Sequence, residues 1–472
     1  MRGSRFTVRP RVLAAWLFVA GATLALPAQA QNPADVGTWS GVMTWPISAT
    51  HASLQPDGRV MFFGEFGEGN LAPQRWDPVT NTLTALPRAG YNIFCAGHSY
   101  LADGRLLVTG GHVTSHVGLN DASIFNPFTA SWTRLPDMNA GRWYPTNTTL
   151  PTGEVVVLSG ERNGVGDIND LPQVFQPSSS TWRSLTSARR VIPYYPRTFT
   201  APNGRVFYAS PERSTRYLST SGTGAWFTGP LSNFGTRSYG PAVIYDGQVL
   251  LIGGGDPPTE TVEHIDLRAS TPVWRYRAPM SIRRRQHNAT LLPDGTVLVI
   301  GGSSGSGFNN SAAPVFHAEV YNPSTNVWTT LASNAVYRGY HSTALLLPDG
   351  RVLSAGGRGQ LNAEVFSPPY LFRGPRPTIS AAPATARAGS LFTIATPDAA
   401  SITRVTLIAL GSTTHAFDEN QRLLTLSFTR GTGSLSVAAP SSYNLAPPGY
   451  YQLFLVNDAG VPSVGRMVRI IR

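Results

Sequence analysis

The chain has 472 residues; its 37 basic side chains are all arginine, and against 26 acidic ones they give a formal charge of +11. The lack of lysine excludes Schiff-base and P-loop chemistry, both of which need one, and the scattered arginines argue against nucleic-acid binding. With 47 Gly, 38 Pro and only 13% charged residues, the composition is that of a turn-rich all-β protein and not of a disordered one.

Residues 1–30 read as a signal peptide. Arg2, Arg5, Arg9 and Arg11 make a positive start, Val12 to Leu26 is apolar apart from Thr23, and Ala28-Gln29-Ala30 has the small-x-small form of a cleavage site. The apolar run is short for a membrane span, and no later segment reaches about 18 apolar residues in a row. The expected location is secreted or periplasmic, with no membrane span, and the four leader arginines account for all but +7 of the charge. In that setting the single cysteine, Cys95, has no partner for an intramolecular disulfide. Its simplest reading is a small buried hydrophobe.

From His51 onward one unit recurs: a strand, a D-G or N-G type turn, an apolar strand ending in small residues, and a strand ending near Trp. HSYLADGRLLVTGG (98–111), TNTTLPTGEVVVLSG (146–160), RTFTAPNGRVFYAS (197–210) and HSTALLLPDGRVLSAGG (341–357) are examples. The turn glycines are Gly58, Gly104, Gly153, Gly204, Gly247, Gly295 and Gly350, spaced 43 to 55 residues apart. That is the period of kelch-type propeller blades, and seven are enough to close a ring. Beyond about Gly374 come short alternating strands, LFTIAT (391–396), RVTLIAL (404–410), LLTLSF (423–428) and YYQLFLV (450–456). The expected fold is all-β, a seven-bladed kelch-type β-propeller over 31–374 followed by a C-terminal immunoglobulin-like β-sandwich over 375–472. The apolar, proline-rich linker 368–377 is expected to pack against the propeller.

In a propeller, functional groups gather on the loops that precede the inner strands at one mouth of the axis. Those loops hold Phe94-Cys95-Ala96-Gly97, Arg142-Trp143-Tyr144-Pro145 and Gly339-Tyr340-His341-Ser342; His415 lies in GSTTHAFDENQR (411–422) of the C-terminal domain. The pair His112-x-x-x-His116 has a spacing that suits zinc but lacks a third ligand. Arg283 to Arg285 read as a solvated or inter-blade cluster.

FCAGHSYLADGRLLVTGG, GRWYPTNTTLPTGEVVVLSG, YRGYHSTALLLPDGR and THAFDENQR resemble, in order, segments of the galactose oxidase and glyoxal oxidase family of copper-radical oxidases, over the whole chain after the leader. The resemblance implies Cu(2+) and a tyrosyl radical on Tyr144, thioether-linked to Cys95. It makes Tyr144, His341 and His415 equatorial ligands and Tyr340 the axial ligand and general base. Two imidazoles and two phenol oxygens suit Cu(II), and a metal plus a radical can share a two-electron oxidation. Phe308 approximately matches a substrate-pocket phenylalanine, and Arg197 lies in the blade of a substrate arginine. The implied activity is oxidation of a small aldehyde or primary alcohol with dioxygen reduced to hydrogen peroxide. The implied partners are that small molecule and dioxygen, with no nucleic acid, an extracellular polysaccharide as a further candidate, and a monomeric state. The chain departs from galactose oxidase after Gly160, where Glu161 and Arg162 stand in place of the tryptophan that covers the radical. It leans toward the glyoxal oxidase branch through its Trp143-Tyr144-Pro145 run and the lack of a carbohydrate-binding domain before the propeller. The alternative is a non-catalytic extracellular kelch propeller that binds glycan or cell-wall polymer.

Overall fold

The computed structural model describes residues 1–7, 32–68 and 71–472. Beyond its first seven residues, the leader expected over 1–30 lies outside the described residues. Among them no helix is long and apolar enough to cross a membrane.

Seven units of four antiparallel strands succeed one another around an axis. Their innermost strands, opening blades 1 to 7, are His51–Leu54, Gly97–Tyr100, Thr146–Thr149, Arg197–Thr200, Ala242–Tyr245, Arg285–Leu291 and Ser342–Leu346. Each is followed by one of the seven turn glycines, all with φ between 73° and 89°, a conformation in which only glycine avoids a steric cost. The ring is closed by the other end of the chain. Blade 7 has three strands of its own, and Thr38–Trp39 supplies the outer one, with Trp39 opposite Phe366. Closure removes the exposed edges that a row of sheets would otherwise present.

Two repeated devices hold the blades. Outer-strand tryptophans staple blades 2, 3, 4, 6 and 7 to the previous blade through their indole N–H. Trp132 donates to the Pro87 carbonyl (2.8 Å), Trp182 to Pro136 (2.8 Å), Trp328 to Ala278 (2.8 Å) and Trp39 to Ala332 (2.9 Å). Within blades 5, 6 and 7 an arginine before the inner strand is buried against a glutamate of the third strand: Arg237 with Glu263 (2.8 Å), Arg284 with Glu319 (2.5 Å) and Arg338 with Glu364 (3.1 Å). The same guanidinium groups donate to the carbonyls of Gly253, Gly301 and Gly356, the small residues that end the second strand. The expectation that Arg283 to Arg285 form a solvated or inter-blade cluster is corrected for Arg284 alone, since Arg283 is exposed and Arg285 reaches across to blade 5. Arg284 is fully buried in its own blade, and Arg285 is 4% exposed and paired with Asp256 at 2.5 Å.

The C-terminal residues form a sandwich of two sheets around a core that includes Ile394, Leu407, Leu435 and Leu453. LLTLSF, expected as one strand, is two: Leu423–Leu426 belongs to one sheet and Phe428–Gly431 to the other. A strand that changes sheets in this way makes a corner of a sandwich. The linker packs as expected, with Tyr370 2% exposed and its hydroxyl bonded to the Gly350 carbonyl. A hairpin from this domain, Ser412–Thr414 and Phe417–Asp418, enters the propeller and adds to blade 1, with Thr414 opposite His51. The residues following it reach the other blades. Glu419 accepts the N–H groups of His98 and Asn147, Arg422 donates to Thr200, and Gln421 bonds Ala289 and Leu291. Thr413 donates to Ala344, and the Leu423 carbonyl accepts from Asp246. All seven blades are therefore tied to one segment of the C-terminal domain.

Candidate active site

The blade register places one residue of each of blades 2 to 7 at the same point, immediately before the inner strand. Blades 2, 3, 4, 6 and 7 carry Cys95, Tyr144, Tyr195, Gln286 and His341 nine residues before the turn glycine, and blade 5 carries Tyr239 eight before. All six have positive φ, from 45° to 69°, as does His415 at 48°. A left-handed non-glycine residue costs about 1–2 kcal/mol, and such outliers gather at functional sites. Of these positions, sequence reading found Cys95, Tyr144 and His341 and missed Tyr195, Tyr239 and Gln286. The offset from the turn glycine is the signal that marks them.

Tyr144, Tyr340, His341 and His415 converge. The hydroxyls of Tyr144 and Tyr340 share a hydrogen bond. The His415 ring centroid is 4.4 Å from that of Tyr144, 4.6 Å from His341 and 5.4 Å from Tyr340. None of the four is more than 9% exposed.

The imidazole tautomers follow from their partners. His415 Nδ1 is 2.5 Å from Thr414 Oγ1, whose own proton goes to the Thr50 carbonyl, so Nδ1–H is the donor. His341 Nδ1 lies 3.3 Å from Glu65 Oε1. The Thr414 bond leaves His415 Nε2 as a lone pair; His341 Nδ1 faces Glu65 at ion-pair distance without a hydrogen bond, and both Nε2 atoms are buried without a partner. Burial pushes the pKa of both imidazoles down, so they are neutral. Burial resists ionisation of Glu65 too, but His341, the Gly359 N–H and Arg358 outweigh it and hold that carboxylate below its ordinary value. Burial also raises the two phenols, Tyr144 and Tyr340, well above 10. Two orphaned imidazole lone pairs facing two phenols that lack a counter-charge fit a divalent metal of borderline softness, and the N,O set suits copper.

Cys95 is fully buried, and desolvation raises its thiol pKa against the opposing influence of the neighbouring Tyr144 and Trp143 side chains. A thiol so disposed is a poor nucleophile, but it touches the phenol beside it. Trp143 stacks on Tyr144 with ring centroids 3.6 Å apart, and Tyr195 stacks at 4.4 Å. His112 accepts the Trp143 indole N–H at Nδ1 (3.0 Å), and His116 Nδ1 is 2.6 Å from Glu161. Among the described residues no group of three His, Cys, Asp or Glu could hold a metal, so the zinc spacing has no site behind it.

Phe308 is 50% exposed and meets Tyr340 edge-on at 4.5 Å and Tyr239 at 5.7 Å. Tyr194 stands edge-on to Trp143 at 5.7 Å. Arg197, expected at the substrate, is turned inward instead. It is 3% exposed, and its guanidinium donates to the carbonyls of Gly240 (3.1 Å) and Tyr195 (2.5 Å), because it opens an inner strand and points into the axis.

Known proteins share this arrangement of domains. A family model for the galactose oxidase-like early set domain matches residues 376–470, one for the glyoxal oxidase N-terminus matches 246–368, and one for the kelch motif matches 102–139. Galactose oxidase of Gibberella zeae is 31% identical over 495 residues, 92% of this chain and 71% of its own. Aldehyde oxidase GLOX of Vitis pseudoreticulata is 31% identical over 435 residues, 80% of this chain and 82% of its own. A solved fungal alcohol oxidase with copper superposes with a TM-score of 0.85 at 26% identity, covering 93% of this chain and 100% of its own.

Proposed function

The chain belongs to the galactose oxidase and glyoxal oxidase family of copper-radical oxidases, and on that premise we propose that it is secreted and oxidises a small primary alcohol or aldehyde, passing two electrons to dioxygen. An alcohol loses two electrons and two protons to give the aldehyde; dioxygen takes up both pairs and leaves as hydrogen peroxide. The signal-peptide form of residues 1–30 supports export.

Tyr144, Tyr340, His341 and His415 would hold the copper. Bound there, the metal supplies one of the two oxidising equivalents and the route by which dioxygen restores it. Tyr144, joined to Cys95, would carry the other as a phenoxyl radical and take the substrate C–H hydrogen atom. Tyr340 would take the substrate hydroxyl proton at its phenol oxygen, which already shares a hydrogen bond with Tyr144. Thr414 keeps the Nδ1 proton of His415 in place so that Nε2 stays free, and the Glu65 carboxylate, beside Nδ1 of His341, favours the same tautomer there. Trp143 excludes water from one face of the Tyr144 ring. Phe308, Tyr239 and Tyr194 form an aromatic rim that favours a substrate whose reacting CH2OH or CHO group is carried on a carbon chain or ring.

The observation that carries this reading is the meeting of two orphaned imidazole nitrogens and two phenol oxygens beside a buried, unpaired thiol. The test is intact mass and peptide mapping after copper loading in air. A Cys95–Tyr144 bond removes two hydrogens and protects Cys95 from alkylation, and Tyr144→Phe or Cys95→Ala abolishes peroxide formation with the fold intact. A Cys95 that stays fully alkylatable overturns the radical-site reading.

A further inference from the structure

Around the mouth of the propeller, in blades 3, 4 and 6, the left-handed residue at the start of the inner strand hands its N–H to the equivalent carbonyl of the previous blade. Tyr144 donates to Cys95 (3.0 Å), Tyr195 to Tyr144 (2.8 Å) and Gln286 to Tyr239 (2.8 Å). Cys95 in blade 2 does not share that bond. Its counterpart in blade 1 is Ala49, whose carbonyl accepts the Thr343 hydroxyl at 3.0 Å. The Cys95 N–H goes to a side chain instead, His51 Nε2, at 3.0 Å.

That bond fixes a chain of protons. A backbone N–H only donates, so His51 Nε2 is a lone pair and the proton sits on Nδ1. Nδ1–H donates to His98 Nε2 at 3.0 Å, His98 Nδ1–H donates to Ser412 Oγ at 2.5 Å, and the Ser412 hydroxyl ends on the His98 carbonyl at 2.9 Å. Cys95, His51, His98 and Ser412 are each fully buried, so no bulk water competes for any link. The chain starts at Cys95 and ends on the strand whose next turn carries His415. His51 also pairs across the sheet with Thr414. Both imidazoles are spent on hydrogen bonds within the wall, and neither is a metal ligand.

We propose that His51, oriented by His98, is a positioning residue for formation of the Cys95–Tyr144 thioether. The inference rests on the radical-site reading above. In the bond-forming reaction the Cys95 S–H and the Tyr144 C–H ortho to the hydroxyl are both lost and an S–C bond forms. The two electrons and two protons go to dioxygen, which leaves as hydrogen peroxide. The rate depends on how constantly the thiol lies against the ring carbon. His51 sets that by capping the amide of a residue with φ 63°, a backbone shape that Cys does not hold without outside support.

The experiment adds Cu(II) in air to copper-free protein and follows the loss of two hydrogens and the disappearance of alkylatable Cys95 with time. His51→Leu removes the acceptor, whereas in His51→Gln the carboxamide oxygen reaches the place of Nε2. His98→Leu leaves His51 in place but frees it to turn its proton toward Cys95. We expect His51→Leu to form the bond about ten-fold or more slowly, since a buried N–H is left unsatisfied, and His51→Gln to stay within about three-fold of wild type. His98→Leu is slowed as well, with thermal midpoints of the copper-free forms measured alongside. Equal rates in His51→Leu and wild type overturn the inference, and so does equal slowing in the Leu and Gln variants, which would mean packing alone. If His51→Leu does not fold, a wild-type rate in His98→Leu overturns it by the same criterion. A wild-type protein that forms no bond brings down the radical-site reading and this inference together. Bond formation that is indifferent to residue 51 brings down this one alone.

Discussion

The indole of Trp143 lies flat on the phenol of Tyr144, the ring planes 7° apart. Successive side chains of an extended strand point to opposite sides. Here the left-handed backbone at Tyr144, φ 67°, breaks that alternation within a tight loop that carries both rings. The cover that Glu161 and Arg162, after Gly160, do not supply therefore comes from the residue before the tyrosine. Replacing Trp143 by Ala should leave the thioether able to form but shorten the lifetime of the proposed radical by up to about ten-fold, the upper end of what an aromatic pair contributes. Decay of the radical's electron paramagnetic resonance signal measures it, and an unchanged lifetime would show that Trp143 only fills space.

Tyr340→Phe keeps the ring that packs on His341 and Phe308 but removes the hydroxyl shared with Tyr144. Thioether formation should survive, while kcat/KM for any alcohol substrate falls by about 10²–10⁴, the usual worth of a general base. Peroxide output at the wild-type level would remove Tyr340 from the chemistry.

The buried Arg284–Glu319 pair predicts an asymmetric response in stability. Either Arg284→Leu or Glu319→Gln alone leaves an uncompensated buried group and should cost about 3–5 kcal/mol, while replacing both by apolar residues should cost much less. Urea unfolding of the copper-free protein distinguishes the two cases; additive losses would contradict the pairing.

His264, on the third strand of blade 5, gives a pH dependence away from the proposed copper ligands. Burial, helped by Arg277, Arg268 and Arg275 and opposed by Asp266, lowers its pKa to about 4 from 6.5. Between those values the unfolded chain binds more protons at this position than the folded one. Stability therefore rises with pH from about 4 to 6.5, is fully present above that, and is lost on acidification. His264→Gln should flatten this part of the curve of thermal midpoint against pH. A variant curve parallel to wild type would refute the assignment.

The turn glycines and the outer tryptophans were legible because a propeller repeats its local chemistry, and each needs only its own neighbours. The candidate site was legible through short motifs that hold one ligand-type residue each. What was hidden depends on distant partners. Arg284 looks solvated until Glu319, in the third strand of its blade, is brought to it. Arg197 looks free until the Tyr195 and Gly240 carbonyls claim it. Nothing near His51 announces that its ring caps Cys95, 44 positions along the chain. The split of LLTLSF at Ser427 is a corner that hydrophobic alternation does not reveal.

The hairpin that enters the propeller also sets an order of events. His415 and the groups that anchor it come late in the chain, after every blade has been synthesised, and the first strand must meet blade 7 to close the ring. A chain still being synthesised thus holds Tyr144, Tyr340 and His341 without His415, the fourth member of the proposed site. If these residues hold the copper as proposed, oxidative chemistry would wait until both ends of the polypeptide have docked, which would shield an unfinished chain from its own oxidant.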